Sequence, residues 1–170
     1  MSKVRISGVR VEMPANVPVM FLTETEGAGR TLPIYIGESE AMAITFALEG
    51  RTPGRPLTHD LFRDTLIALG ATLQSVAIVA LRDQTYFAEL HLVLNGAPVI
   101  VSSRPSDAVA LAVRADCDID IDADLLDRLE AEGTLVDWID EEDEDDIETP
   151  VEIVDEFREF LEGLNPEDFA

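Results

Sequence analysis

The chain has 170 residues, 46% of them hydrophobic, and one cysteine, Cys117. That composition suits one domain of ordinary size plus an appendage; no apolar run approaches the roughly 20 residues of a membrane span, and a lone cysteine excludes an internal disulfide or a thiolate metal cluster. The net charge of −23 is unevenly spread, with 10 Lys+Arg against 11 Asp+Glu in residues 1–115 and 2 against 24 in residues 116–170, so the whole should repel nucleic acid at long range while its arginine-bearing front can still hold a local basic site.

Met1-Ser2-Lys3-Val4-Arg5 runs into alternating residues without a signal-peptide core, and a cytoplasmic location is expected. Val4, Ile6, Val9 and Val11, then Pro14-Ala15-Asn16, then Val17, Val19, Phe21 and Leu22 read as a β-hairpin. Thr31 to Ile36 gives another short strand. Gly37 leads into a helix over Glu38 to Leu48 that Gly50 ends. Arg51 to Leu57, with two prolines and a glycine, is a loop, and Thr58 is a plausible N-cap for a helix over His59 to Leu69, with Leu61, Phe62, Leu66 and Leu69 at helical spacing.

Leu73 to Arg82, Thr85 to Leu94 and Pro98 to Val101 read as a three-strand antiparallel meander, turned at Asp83-Gln84 and at Asn95-Gly96, a preferred tight-hairpin pair. Alternation in the middle strand sets Tyr86, Ala88, Leu90, Leu92 and Leu94 against Phe87, Glu89, His91 and Val93. Pro105 suits a first helical position, Ser106 and Asp107 suit the first turn, and the unbroken apolar run Ala108 to Val113 implies a helix buried on most sides. A short segment Ile119 to Ile121 precedes a helix from Asp122 or Ala123 to about Glu132, stopped by Gly133. Residues 136–149 are an acidic linker, and 150–170 hold an amphipathic helix with Val151, Val154, Phe157, Phe160 and Leu161 in a stripe that needs a surface.

The most recognisable catalytic signatures are absent: there is no phosphate-binding loop with Lys-Ser/Thr, no Gly-x-Ser-x-Gly and no His-Glu-x-x-His. Two histidines, His59 and His91, are too few for a multi-histidine zinc site. Three polar clusters remain in apolar surroundings: Glu38-Ser39-Glu40; Arg55 with Thr58-His59-Asp60; and Arg104-Ser106-Asp107 with Arg114.

Leu32-Pro33-Ile34-Tyr35-Ile36-Gly37-Glu38-Ser39-Glu40-Ala41, Arg55-Pro56-Leu57-Thr58-His59-Asp60-Leu61, Tyr86-Phe87-Ala88-Glu89-Leu90 and the segment Arg104 to Arg114 follow one another in an order that resembles the bifunctional nuclease (BFN) domain family, over roughly residues 1–135. The resemblance implies an α+β domain whose mainly antiparallel sheet, the hairpin plus the meander, is packed with helices. It also implies a homodimer or larger homo-oligomer, and cleavage of both RNA and DNA. Many relatives carry Asp two positions before the arginine that matches Arg104, where this chain has Ser102.

Metal-assisted phosphodiester cleavage needs carboxylates for Mg²⁺ or Mn²⁺, a group that handles protons, and a cation for the phosphorane charge. On that chemistry Asp107, Glu38 and Glu40 are the expected metal ligands, and His59, Asp107 and Arg104 the catalytic groups. Arg55, Arg114 and Ser106 would bind substrate. Every one of these residues also has a structural use: the acids satisfy helix N-termini, His59 sits beside a cap, and Arg114 can pair with a neighbour. Glu89 and His91 read as a solvated strand face. The rival function is a noncatalytic oligomeric binding or regulatory module, which the acidic charge favours.

Overall fold

The structure is a computed structural model that describes residues 1–51 and 54–136. The expected acidic linker beyond Val136 and the helix and tail of 150–170 lie outside the described residues. Eleven elements follow in chain order: β1 (Ser2–Glu12), β2 (Val17–Glu24), β3 (Thr31–Tyr35), α1 (Glu38–Leu48), α2 (Thr58–Ala68), β4 (Ala71–Arg82), β5 (Thr85–Leu94), β6 (Ala97–Ser103), α3 (Pro105–Ala115), β7 (Asp118–Ile121) and α4 (Ala123–Ala131). No described helix is long and apolar enough to cross a membrane.

The strands make one seven-stranded sheet in the order β3-β2-β1-β7-β4-β5-β6. The α+β class holds and most pairings are antiparallel, but the sheet is mixed, because β7 runs parallel to β4. The hairpin and the meander are therefore halves of one sheet, joined by the short strand β7. Ile119 lies opposite Val4 on one side and Val76 on the other, and Ile121 lies opposite Ser2 and Ile78. A four-residue segment can hold this place because Asp-Ile-Asp-Ile alternates: both isoleucines are buried on the helix side while the aspartates face away.

The helix-facing side of the sheet supplies Met20, Leu22, Leu32, Ile34, Val76, Ile78, Ala88, Leu90 and Ile121 to one core. Against it lies α3, buried from Ala108 through Ala112. Three of those five buried residues are alanines, so the helix presents little side-chain bulk to the sheet. The alternation expected in β5 is present, with Ala88, Leu90 and Leu92 buried and Phe87, Glu89, His91 and Val93 only partly so. Both meander turns use left-handed residues, Asp83 and Gln84 at φ 46° and 59°, and Asn95 and Gly96 at 52° and 80°, which matches the twist of tight hairpins.

Candidate functional site

The N-termini of α1, α2 and α3 carry the three polar clusters and bring parts of each together. Gly37 precedes α1 without a capping side chain, and the Glu40 carboxylate curls back over it. A Cβ at position 37 would sit 2.3 Å from Glu40 Oε2. Glycine there gives Glu40 room to fold inward, and Oε1 meets Arg104 Nη2 at 2.8 Å.

α2 starts one residue earlier than expected, with Leu57 as N-cap in place of Thr58. The reason is Asp60, whose Oδ2 accepts the Leu57 backbone N–H at 3.0 Å, so the turn is capped from inside the helix and the Thr58 hydroxyl is not needed. This start leaves His59 in the first turn, where its Nε2 lies 3.1 Å from Asp107 Oδ1 on α3. Arg104, the N-cap of α3, folds its side chain onto Asp107, with Nε to Oδ2 at 2.7 Å and Nη2 to Oδ1 at 3.0 Å. Glu40, Arg104, Asp107 and His59 thus form a continuous bonded chain across three helices. Its members grade from a 66% exposed Arg104 side chain to a 13% exposed His59.

Burial alone pushes the Asp107 carboxyl up, but the hydrogen bonds from Arg104 and His59 outweigh it and hold the group below its ordinary range. Asp107 therefore accepts only, which requires the proton on His59 Nε2. Neutral His59 then has its lone pair on Nδ1. Arg104 is in turn held protonated by Asp107 and Glu40. The arrangement can orient an imidazole base beside an exposed guanidinium.

Arg114 has a different position from the one expected. Its side chain is 5% exposed, with Nε to Asp60 Oδ1 at 2.5 Å, Nη1 to the Ala110 carbonyl at 2.9 Å and Nη2 to the Ala43 carbonyl at 3.0 Å. These bonds commit the guanidinium to bracing α1, α2 and α3 and leave it poorly placed to bind phosphate. Asp60 is pushed up by burial, yet Arg114 and the Leu57 N–H together keep it below its usual range. Glu38 and Arg55 are exposed and make none of the cluster's bonds. Ser106 is buried and lines a cleft beside Arg104.

Among the described residues, no three His, Cys, Asp or Glu side chains group as a metal ion would require. Both Asp107 oxygens already accept from Arg104 or His59, and Glu40 is bound to the same arginine. The acids expected to hold Mg²⁺ or Mn²⁺ do not fit that ion as they are arranged. Ser102 is paired in register with Glu89, and Ser103 with Ala88 on the helix side. An acid at position 102 would therefore project beside Glu89 and His91, away from the Arg104 cluster. His91 Nε2 lies 3.2 Å from Glu89 Oε2, both side chains about one-third exposed, in keeping with a solvated face.

Two features were missed in the sequence. Arg30 bonds Glu24, Asp127 and Glu130, clamping the strand that precedes it to α4; this is a structural tie between distant segments that no local pattern reveals. Tyr35 and Tyr86 line the cleft with Arg104, Gln84, Thr85 and Ser106. The available signal was positional, since each tyrosine stands at the end of a strand inside one of the recognisable blocks.

Residues 20–133 match the bifunctional nuclease domain. An uncharacterized protein of Mycobacterium tuberculosis (strain CDC 1551 / Oshkosh) is 43% identical over 171 residues, covering 99% of this chain and 98% of its own length. Two Arabidopsis thaliana proteins are more distant: bifunctional nuclease 2 is 29% identical over 99 residues, 56% of this chain and 30% of that protein, and bifunctional nuclease 1 is 27% identical over 107 residues, 61% and 33%. With the match spanning the sheet from β2 onward and all four helices, this chain belongs to the bifunctional nuclease domain family.

Proposed function

We propose that this domain hydrolyses phosphodiester bonds of RNA and DNA at the Glu40–Arg104–Asp107–His59 cluster. The kinship to proteins named bifunctional nucleases supports the reaction class. The observation that carries the site is the His59–Asp107 contact at 3.1 Å next to an exposed Arg104. His59 Nδ1 takes a proton from the attacking water as its oxygen bonds phosphorus, the P–O bond to the leaving nucleoside breaks, and the imidazolium returns the proton to the departing oxygen; Asp107 orients the imidazole and stabilises the imidazolium, and Arg104 faces the phosphate oxygens as charge builds on them. Glu40 holds the arginine from the other side.

The test is cleavage of RNA and DNA by Asp107→Asn and the parent chain, purified identically, with and without chelator. Loss of general acid–base help predicts a fall of about 100-fold or more for the variant, with parent activity surviving the chelator. Equal rates in the two preparations would remove Asp107 from the chemistry. Activity abolished by chelator and restored by Mn²⁺ would mean that Asp107 and Glu40 leave Arg104 to hold a cation, and would overturn the acid–base reading.

One observation favours a noncatalytic binding module instead: both Asp107 oxygens are already satisfied within the protein. On that reading the cluster only locks three helix ends together. Asp107→Asn would then lower stability and leave ligand binding unchanged.

A further inference from the structure

The outward side of α2 is apolar, where a helix facing solvent is ordinarily polar. None of its residues is buried: His59, Asp60, Arg63 and Leu66 are half-buried toward the domain, and Leu66 packs against the core. The opposite side carries Leu61, Phe62, Thr65, Ala68 and Leu69, all exposed, with Leu61 at 59%, Phe62 at 45% and Leu69 at 68%. Spaced i, i+1, i+4, i+7 and i+8, they make one stripe about 12 Å long without a charged side chain. Among the described residues the stripe is left uncovered, and a contiguous apolar patch of this kind marks an interaction surface.

We propose that this stripe is the docking surface for the chain's own segment 153–164. That segment repeats the same spacing in Ile153, Val154, Phe157, Phe160, Leu161 and Leu164, with its charged residues at the intervening positions. On a helix the apolar set falls on one side and the charges on the other, so the two stripes can bury each other as a helix pair. Pairing α2 with α2 of a second copy would leave the apolar set of 153–164 without a surface, whereas pairing it with that segment covers both. Charge selects the same occupant. Residues 150–164 carry five acids against one arginine, while no acid stands between Gly50 and His59 at the start of α2. Arg55 in that stretch is exposed and has no ion pair among the described residues, and the helix N-terminus adds positive partial charge. The connection is long enough. The described chain ends at Val136, bridged to Thr31, and the 17 residues from there to Ile153 extend to about 55 Å, against a domain roughly 35 Å across. The surface stands whether or not the domain hydrolyses nucleic acid.

The experiment places a thiol at the centre of each stripe, Thr65→Cys and Phe157→Cys, in the full chain with Cys117→Ser. Central positions meet whether the two helices run parallel or antiparallel. Mild oxidation should close a disulfide within one chain, and Phe62→Asp or Phe160→Asp should slow its closure about 10-fold or more, because either sets a charge into the apolar contact. Ile67→Asp should leave the rate unchanged, since Ile67 lines the hollow against α3 and β4 on another side of α2. Hydrogen exchange of the chain without added thiols is the second readout: amides of α2 should exchange faster once Phe160→Asp is introduced, at every protein concentration. Phe160 lies outside the described residues, so this variant decides the matter even where Phe62→Asp disturbs α2. A disulfide that joins two chains, closure indifferent to both aspartates, or α2 exchange indifferent to Phe160→Asp overturns the docking. Protection of α2 that rises with concentration and survives Phe160→Asp gives the stripe to a second copy and overturns it as well.

Discussion

Replacing Arg114 by methionine keeps much of the side-chain length and removes three donors at once. In the native arrangement those donors meet Asp60 at 2.5 Å, the Ala110 carbonyl at 2.9 Å and the Ala43 carbonyl at 3.0 Å, from a guanidinium only 5% exposed. Removing one partner of a buried pair costs about 3–5 kcal/mol, because the other charge is left without compensation. Asp60 is 19% exposed and retains the Leu57 N–H, so the lower end, about 3 kcal/mol, is expected. With a urea m-value of about 2 kcal/mol/M, the unfolding midpoint should fall by about 1.5 M when followed by far-UV circular dichroism. Asp60→Asn in the methionine background should cost much less than in the parent, giving a coupling of about 1.5 kcal/mol or more in the double-mutant cycle. A midpoint shift below about 0.3 M, or strict additivity, would refute the brace. Lost oligonucleotide binding with unchanged stability would instead return Arg114 to the role of phosphate ligand.

Two further outcomes concern the rest of the domain. Glu24 is 4% exposed and its carboxyl is held below the ordinary range, first by its bond from Arg30; Asp60 and Asp107 are lowered as well. A depressed folded value means that the unfolded state binds more protons on acidification, so the stability these groups contribute is present above about pH 4 and is lost as pH falls through their folded values. Relief of repulsion among the 35 acids acts in the opposite sense, so the reading is the difference between Glu24→Gln and the parent in urea midpoints from pH 7 to pH 3.5; the variant should be less stable at neutrality and lose less stability on acidification, and parallel curves would dismiss the ion pair. Ile121 is fully buried in the bridging strand, and Ile121→Ala should cost about 2–5 kcal/mol. A loss under about 1 kcal/mol by urea titration would mean that β7 does not secure the two halves as described.

Local chemistry made most elements legible. Pro105 at the first position of α3, the Asn95-Gly96 turn and the alternation of β5 are rules of adjacent residues, and the structure follows them. Pairing between distant segments was not legible. Nothing within Asp118–Ile121 says that β4 rather than another strand will lie parallel to it, because its alternation is satisfied by any apolar neighbour on the same face. The start of α2 was displaced by Asp60, a residue inside the helix whose capping role depends on a backbone bond and on the distant Arg114. At the candidate site, three polar clusters in apolar surroundings brought Glu38, Glu40, His59, Arg104, Asp107 and Arg114 to notice. Glu38 and Arg114 entered with the first and third of these clusters, and nothing local tells which members of different clusters meet. Only the fold shows that one points to no partner in the cluster and the other is sealed beneath it.

The place of β7 also bears on how the chain comes together during synthesis. β1 and β4, the strands that finally flank it, are both translated before it, with β4 ending at Arg82 and β7 at Ile121. Each therefore has one unpaired backbone edge until about forty more residues have been added, an interval of about 2–8 s at ordinary elongation rates. Two open edges of apolar strand, held apart on one nascent chain, are templates for each other and for neighbouring chains. The slow step of folding is expected to be the late insertion of four residues between them, a contact of long sequence separation that must wait for α3 to be made.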